Sequence, residues 1–159
     1  MDEASIKSYM QEAIRLAEEG MNHNEGGPFG AIIVRDNVII GRGNNKVLCN
    51  NDPTAHAEVV AIRQACEAIG DFQLTDCIVF TSCEPCPMCM AALYWARVKK
   101  IYYACTRTDA ASIQFDDAFI YEEIQKDIHQ RAIEAEQVDR EIALKTFEAW
   151  KIKVDKKRY

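Results

Sequence analysis

The sequence predicts an α/β protein: a mixed sheet with helices on both faces. Three observations carry that expectation. An amphipathic helical stripe comes first, two β-branched runs flank Asp36-Asn37 as a hairpin, and short apolar strands then alternate with helices. The 159 residues fit a single domain, 1–159, with no internal repeat and no Pro/Gly/Ser linker.

Ile6, Met10, Ala13, Ile14 and Ala17 make the stripe, over residues 4–19, and Gly20 can end it. Gly26-Gly27-Pro28-Phe29-Gly30 forces a loop. Ala31–Val34 and Val38–Ile40 are the hairpin strands. After a loop rich in Asn, Asp52-Pro53 has the form of a cap with Pro in the first turn, opening a helix that reaches Ile69 with Gly70 as its stop. Cys77–Phe80 reads as a short buried strand, Cys86–Arg97 as a helix with Pro87 in its first turn, and Ile101–Ala104 as a further strand. In the tail, Phe115–Lys126 reads as a helix, Ile133–Val138 as a strand and Thr146–Lys153 as a last helix.

Apolar residues make up 48% of the chain and charged residues 28%, enough to bury a core and too apolar for a disordered protein. The net charge of -6 argues against nucleic acid as the main partner, although Lys151, Lys153, Lys156, Lys157 and Arg158 form a basic tail. No apolar run approaches a membrane span, so no membrane partner is expected. Met-Asp-Glu-Ala at the N-terminus lacks the regions of a signal peptide, which predicts a cytoplasmic protein. In that reducing compartment the seven cysteines read as thiols or metal ligands. Cys49, Cys66, Cys77 and Cys105 are scattered as small hydrophobes would be, whereas Cys83, Cys86 and Cys89 recur every three residues.

Two segments carry chemistry: Thr54-Ala55-His56-Ala57-Glu58 and Cys83-Glu84-Pro85-Cys86-Pro87-Met88-Cys89. Cys86 and Cys89 share one face at a helix start, where free N–H groups favour thiolate, and His56 supplies a third zinc ligand from the first turn of another helix. Three protein ligands leave the fourth position to water, the mark of a catalytic zinc, and predict one Zn2+ per chain. Glu58 reaches the same site only if its helix points end-on at the metal. It then stays free to handle protons. A redox dithiol leaves His56 and Glu58 without a role. An iron–sulfur run wants a fourth cysteine where Leu93 stands. Cys83 as a fourth ligand, closing a structural site, is a further alternative. His23 and His129 lie in polar stretches and read as surface residues.

His-Ala-Glu followed by Pro-Cys-Pro-Met-Cys matches the H-x-E…P-C-x-x-C pattern of zinc-dependent nucleobase deaminases. From about Ile6 to Ala104 the chain resembles the cytidine-deaminase-like superfamily, which implies a three-layer α/β/α sandwich around the mixed sheet. Within it the sequence is most similar to bacterial guanine deaminases, through Gly26–Gly30, Asn44-Asn45, Asn51–Glu58, Tyr94–Arg97, Phe115–Tyr121 and the terminal Tyr159. That resemblance implies a small-molecule purine base, guanine, as substrate. Phe29 and Trp95 would lie against the base, Asn45 and the backbone around Ala57 would read its edge, and Asp117 and Tyr159 would lie near the exocyclic amine. Core packing is the rival reading of Phe29 and Trp95, a helix cap of Asp117, and a frayed end of Tyr159. The resemblance further implies a homodimer in which a C-terminal segment, about 146–159, is swapped onto the partner chain. Phe147 and Trp150 in that segment want a surface to cover. The competing functions are a tRNA adenosine deaminase, a deaminase of cytosine, guanosine or another aminated heterocycle, and a zinc-stabilised binding module without catalysis.

Overall fold

The carboxylate of Asp2 accepts the Ser5 N–H at 2.8 Å and opens the first helix, α1, Glu3–Asn22. The helix passes through Gly20 rather than ending there, and a Cβ at that position would lie 2.1 Å from Asn44 Nδ2. The glycine makes room for a neighbouring strand. The hairpin is as expected, β1 (Gly30–Arg35) and β2 (Val38–Asn44), with Asp36 and Asn37 at φ of 50° and 60° in a tight turn. A short helix that the sequence did not signal, α2 (Val47–Asn50), follows.

The next helix corrects an expectation. Asp52 does not cap it: the Asp52 carboxylate accepts the Thr54 N–H and hydroxyl at 2.8 and 2.7 Å, an Asx turn. The helix, α3, runs from Ala57 to Ile69 with His56 at the N-cap and Gly70 left-handed at the C-cap. Then come β3 (Ile78–Cys83), α4 (Pro87–Ala96) with Cys86 at its N-cap, β4 (Lys100–Cys105) and a short α5 (Arg107–Ser112) closed by a Thr106–Asp109 capping box.

In this computed structural model residues 1–158 are described, and Tyr159 lies outside them. Contacts divide the chain into two units, Met1–Asp117 and the segment from Ala118 onward. In the first, the sheet order is β2-β1-β3-β4, with β1 antiparallel to both neighbours and β3 parallel to β4. Strand alternation sends Ile32, Val34 and Phe80 to the face covered by α1, and Ala31, Ile33 and Val79 to the face covered by α3 and α4. The three-layer sandwich is the observed architecture.

A close seam joins α3 to β2. Ala57, Ala61 and Ala65, one stripe of α3, are fully buried, and a Cβ at Gly43 would stand 2.2 Å from the Ala57 carbonyl oxygen. The seam has no room for one more carbon.

The second unit carries α6 (Ala118–Gln125), a 3-10 turn at Ile128–Gln130 and α7 (Arg140–Ile152). The helix expected at Thr146–Lys153 thus starts six residues earlier. Ile133–Val138 forms no strand: alternating apolar residues do not make one without a neighbour to pair with, and Ile133 and Val138 are exposed.

Gly43→Ala should cost about 1–3 kcal/mol through overpacking of the seam. The urea unfolding midpoint measures it. An unchanged midpoint would mean that α3 can back away from β2 freely.

Candidate active site

Two helix starts meet beside the C-terminal end of β3. His56 and Cys86 are both N-cap residues with extended backbone (φ -68° and -63°), and neither side chain caps its own helix. They are left to face each other. Cys89, in the first turn of α4, completes the group. His56 Nδ1 stands 3.6 Å from Cys86 Sγ and 3.5 Å from Cys89 Sγ, and all three ligand atoms lie within 4.8 Å of one another. A tetrahedral ion ~2.0–2.1 Å from nitrogen and ~2.3 Å from sulfur requires an N···S edge of about 3.5 Å. The cradle therefore fits zinc in both donor type and spacing.

Cys83 is not part of it. Its Sγ lies 3.5 Å from the Thr106 carbonyl oxygen, and burial pushes its thiol up to about 11. The ligand group holds His56, Cys86 and Cys89 alone among the described residues, which leaves an open position and excludes a four-cysteine cluster.

Charges are shared within the cradle. The hydrogen bond from Cys89 is the main cause holding Cys86 down, to about 4, and the His56 contact adds to it. Cys89 is pushed up, first by the thiolate to which it donates and then by burial. His56 is raised, chiefly through its hydrogen bond with Cys86. Hydrogen bonding within the cradle thus favours negative charge on Cys86 over Cys89.

Glu58, the second residue of α3, is only 6% exposed. The end-on approach of α3 brings it near Cys89, close enough for the two groups to shift each other's protonation. The Thr81 hydroxyl donates to Glu58 Oε1 at 3.2 Å. Burial is the main cause raising its carboxyl above the ordinary range, which makes it a group that can both hold and release a proton. Thr81 was not legible as a site residue. In sequence it is one more β-former in a strand.

Asn45 is 3% exposed at the end of β2; its N–H donates to the Phe29 carbonyl at 2.9 Å and its Oδ1 accepts from Val47 N at 3.1 Å. Phe29 is half-buried and meets Phe115 edge-on, ring centroids 5.0 Å apart. Phe115 is an aromatic wall that sequence reasoning treated only as part of a matching stretch. Ala57 is buried at the first position of α3, where the backbone N–H has no partner within the helix. Burial, then the nearby Cys86 charge, raises Asp117. Trp95 differs: it is 67% exposed and sits at the far end of α4, nine residues and about 13 Å along the axis from Cys86. Tyr159 lies outside the described residues.

Comparison with known proteins gives a consistent set of likenesses. Residues 3–105 match the family of the cytidine and deoxycytidylate deaminase zinc-binding region. The chain is 53% identical over 153 residues to the guanine deaminase of Bacillus subtilis (strain 168), covering 96% of this chain and 98% of that one. An X-ray structure of Bacillus subtilis guanine deaminase superposes with a TM-score of 0.94 at 52% identity, over 100% of this chain and 99% of that chain. The tRNA-specific adenosine deaminase of Agrobacterium fabrum (strain C58) is 39% identical over only 87 residues, 55% of this chain and 57% of that protein.

The protein should bind one zinc ion per chain. Cys86→Ser and Cys89→Ser should lose it on dialysis, and Cys83→Ser should keep it, as metal analysis can report. Binding must displace the protons of Cys89 and of the raised His56, so zinc affinity should weaken as pH falls. Affinity that did not change with pH would contradict this ligand set.

Proposed function

The chain belongs to the cytidine and deoxycytidylate deaminase zinc-binding family and, within it, to the guanine deaminases, and from that premise we infer that it hydrolyses guanine to xanthine and ammonia. One observation carries the reading: a three-ligand zinc cradle with a buried carboxylate beside it, in a chain alike from end to end to a guanine deaminase. The tRNA adenosine deaminases match 55% to 62% of the chain, against 96% for the guanine deaminase, and the net charge of -6 weighs against a polyanionic substrate. A non-catalytic zinc module leaves the buried Glu58 without use.

His56, Cys86 and Cys89 hold the metal, which when bound supplies a Lewis acid and lowers the pKa of water at its open position. Glu58 moves the protons. It accepts the proton that water gives up on adding to C2 of the base. It passes that proton to the ring nitrogen N3, then takes the remaining proton from the new hydroxyl on C2 and delivers it to the amine, so that the C2–N bond breaks as the carbonyl forms and ammonia leaves. The Thr81 hydroxyl holds one oxygen of that carboxylate still.

Substrate recognition follows from the surrounding groups. Phe29, braced by Phe115, offers a face to the flat base. Asn45, with its oxygen engaged by Val47, presents its amide NH2 as a donor, and Ala57 adds a backbone N–H. Asp117, near enough to feel the Cys86 charge, accepts from the amine edge.

The assembly is a homodimer with the C-terminal segment exchanged. The segment after Ala118 supports it: Phe119, Phe147 and Ile152 are 58%, 65% and 82% exposed, and neither α6 nor α7 contains a buried residue. A segment that buries so little on its own chain does not offset its ordering entropy, and a second copy is the surface that would cover it. No helix among the described residues is long and apolar enough to cross a membrane. None of the seven cysteines is in a disulfide, in keeping with the cytoplasm.

Glu58→Gln should retain zinc and lose about 10²–10⁴-fold in kcat. Near-normal turnover would remove Glu58 from its role. Guanine should be deaminated far faster than cytosine, adenine or guanosine, and inosine formation in tRNA without guanine turnover would reverse the assignment. Deleting residues 146–159 should abolish both the dimer in sedimentation and the activity. A fully active monomer would end the exchange model.

A further inference from the structure

Glu25 lies in the loop between α1 and β1, outside the metal cradle, yet its bonds converge on the chain around Asn45. Its carboxylate oxygen Oε2 accepts from Asn44 Nδ2 at 2.5 Å and from Lys46 Nζ at 3.0 Å, the residues immediately before and after Asn45. Its main-chain carbonyl accepts the N–H groups of Leu48 and Cys49, both at 3.1 Å. One residue therefore grips the strand end on each side of Asn45 and also the short helix that follows. The next residue closes the saddle: a Cβ at Gly26 would fall 2.0 Å from Asn45 Oδ1, so that backbone lies flat against the amide. Asn44 and then Lys46 hold the Glu25 carboxyl below the usual range, so it is anionic in the working protein.

The orientation of Asn45 depends on this arrangement. Val47 N can only donate, so the amide atom 3.1 Å from it is oxygen, and the NH2 is the end left to donate. Val47 is held in turn by the helix start that the Glu25 carbonyl caps. If residues 44–48 shift by a fraction of an ångström, the NH2 donor moves relative to the base. The Lys46 N–H also donates to the Ala55 carbonyl at 2.9 Å, one residue before His56, so kcat must be read beside KM.

We propose that Glu25 is a positioning residue for purine recognition, setting the Asn45 amide by bracketing it through Asn44, Lys46 and the Leu48–Cys49 backbone. This rests on the reading of Asn45 as a contact to the base edge. Because the bonds of Glu25 converge on the residues that flank Asn45, its loss should weaken guanine binding more than it disturbs the proton transfers at Glu58. Removing it should raise KM and leave kcat largely intact. Once Asn45 is absent, Glu25 has nothing left to position.

The test is a double-mutant cycle on the zinc-loaded, full-length enzyme, with Glu25→Ala, Asn45→Ala and the pair, read as KM and kcat for guanine. Glu25→Ala should raise KM about tenfold with kcat within about threefold, and Glu25→Gln, which keeps an acceptor oxygen, should recover part of the loss. Adding Glu25→Ala to Asn45→Ala should raise KM no further. If Asn45→Ala raises KM but the Glu25 effect multiplies with it in the double variant, or Glu25→Ala leaves KM unchanged, positioning is overturned while the Asn45 reading stands. If Asn45→Ala itself leaves KM unchanged, the Asn45 reading fails and the proposal fails with it. Should Glu25→Ala prove too unstable to assay, Glu25→Gln alone decides: unchanged KM with unchanged thermal stability overturns the proposal, and raised KM that disappears in the Asn45→Ala background sustains it.

Discussion

The close approach of α3 to β2 is the constraint on which the site depends. An alanine stripe faces glycine, so helix and strand backbones meet without intervening side chains, with Ala57, Ala61 and Ala65 fully buried. Larger residues would lift the helix and swing its N-terminus away. With the helix seated, His56 and Glu58 stand at its open end, where unpaired N–H groups and the helix dipole favour negative charge. The start of α4 brings the same property to Cys86 and Cys89. Two positive helix ends are thus aimed at a site built from thiolate and carboxylate.

Polar burial is concentrated where chemistry needs it. Apart from the cysteines, the buried polar side chains among the described residues are Asn45, Glu58, Thr81 and Ser82. Glu58 takes the Thr81 hydroxyl, Ser82 Oγ accepts the Gly30 N–H at 3.0 Å, and Asn45 is bonded through its backbone and amide. Each desolvated group has a partner, so a proton carrier can sit in a dry environment without an orphaned neighbour. These residues gather at the carboxyl end of β3 and the loop beside it, the position at which open α/β sheets place their ligands.

The two units of the chain obey different physics. Residues up to Asp117 fold around two apolar clusters, one on each face of the sheet. The later segment has regular helices, with Asp127 capping a 3-10 turn and Arg131 donating to the Ile124 and Lys126 carbonyls, yet no buried core of its own. Local hydrogen bonding defines its shape and leaves its apolar side chains uncovered. A segment of this kind has its packing free energy still to gain.

Whatever depends on nearby residues was legible in the sequence. The stripe of α1, the Asp36-Asn37 hairpin, the starts and stops at Pro87 and Gly70, and the spacing of Cys86 and Cys89 are local patterns imposed by backbone geometry and ligand reach. His56 and Glu58 were legible as a motif, and end-on approach as its requirement. Long-range packing decided the rest. Gly20 has the form of a helix stop, but Asn44 needs its space. Asp52-Pro53 has the form of a cap, but Asp52 bonds Thr54, and the helix start falls to His56. Thr81, Glu25 and Phe115 matter through partners 23, 19 and 86 positions away, and no short pattern carries such information. A motif states which atoms can bind a metal or a proton. Only the seating of helix on sheet decides that those atoms meet, because that seating is a sum of contacts between residues remote in sequence.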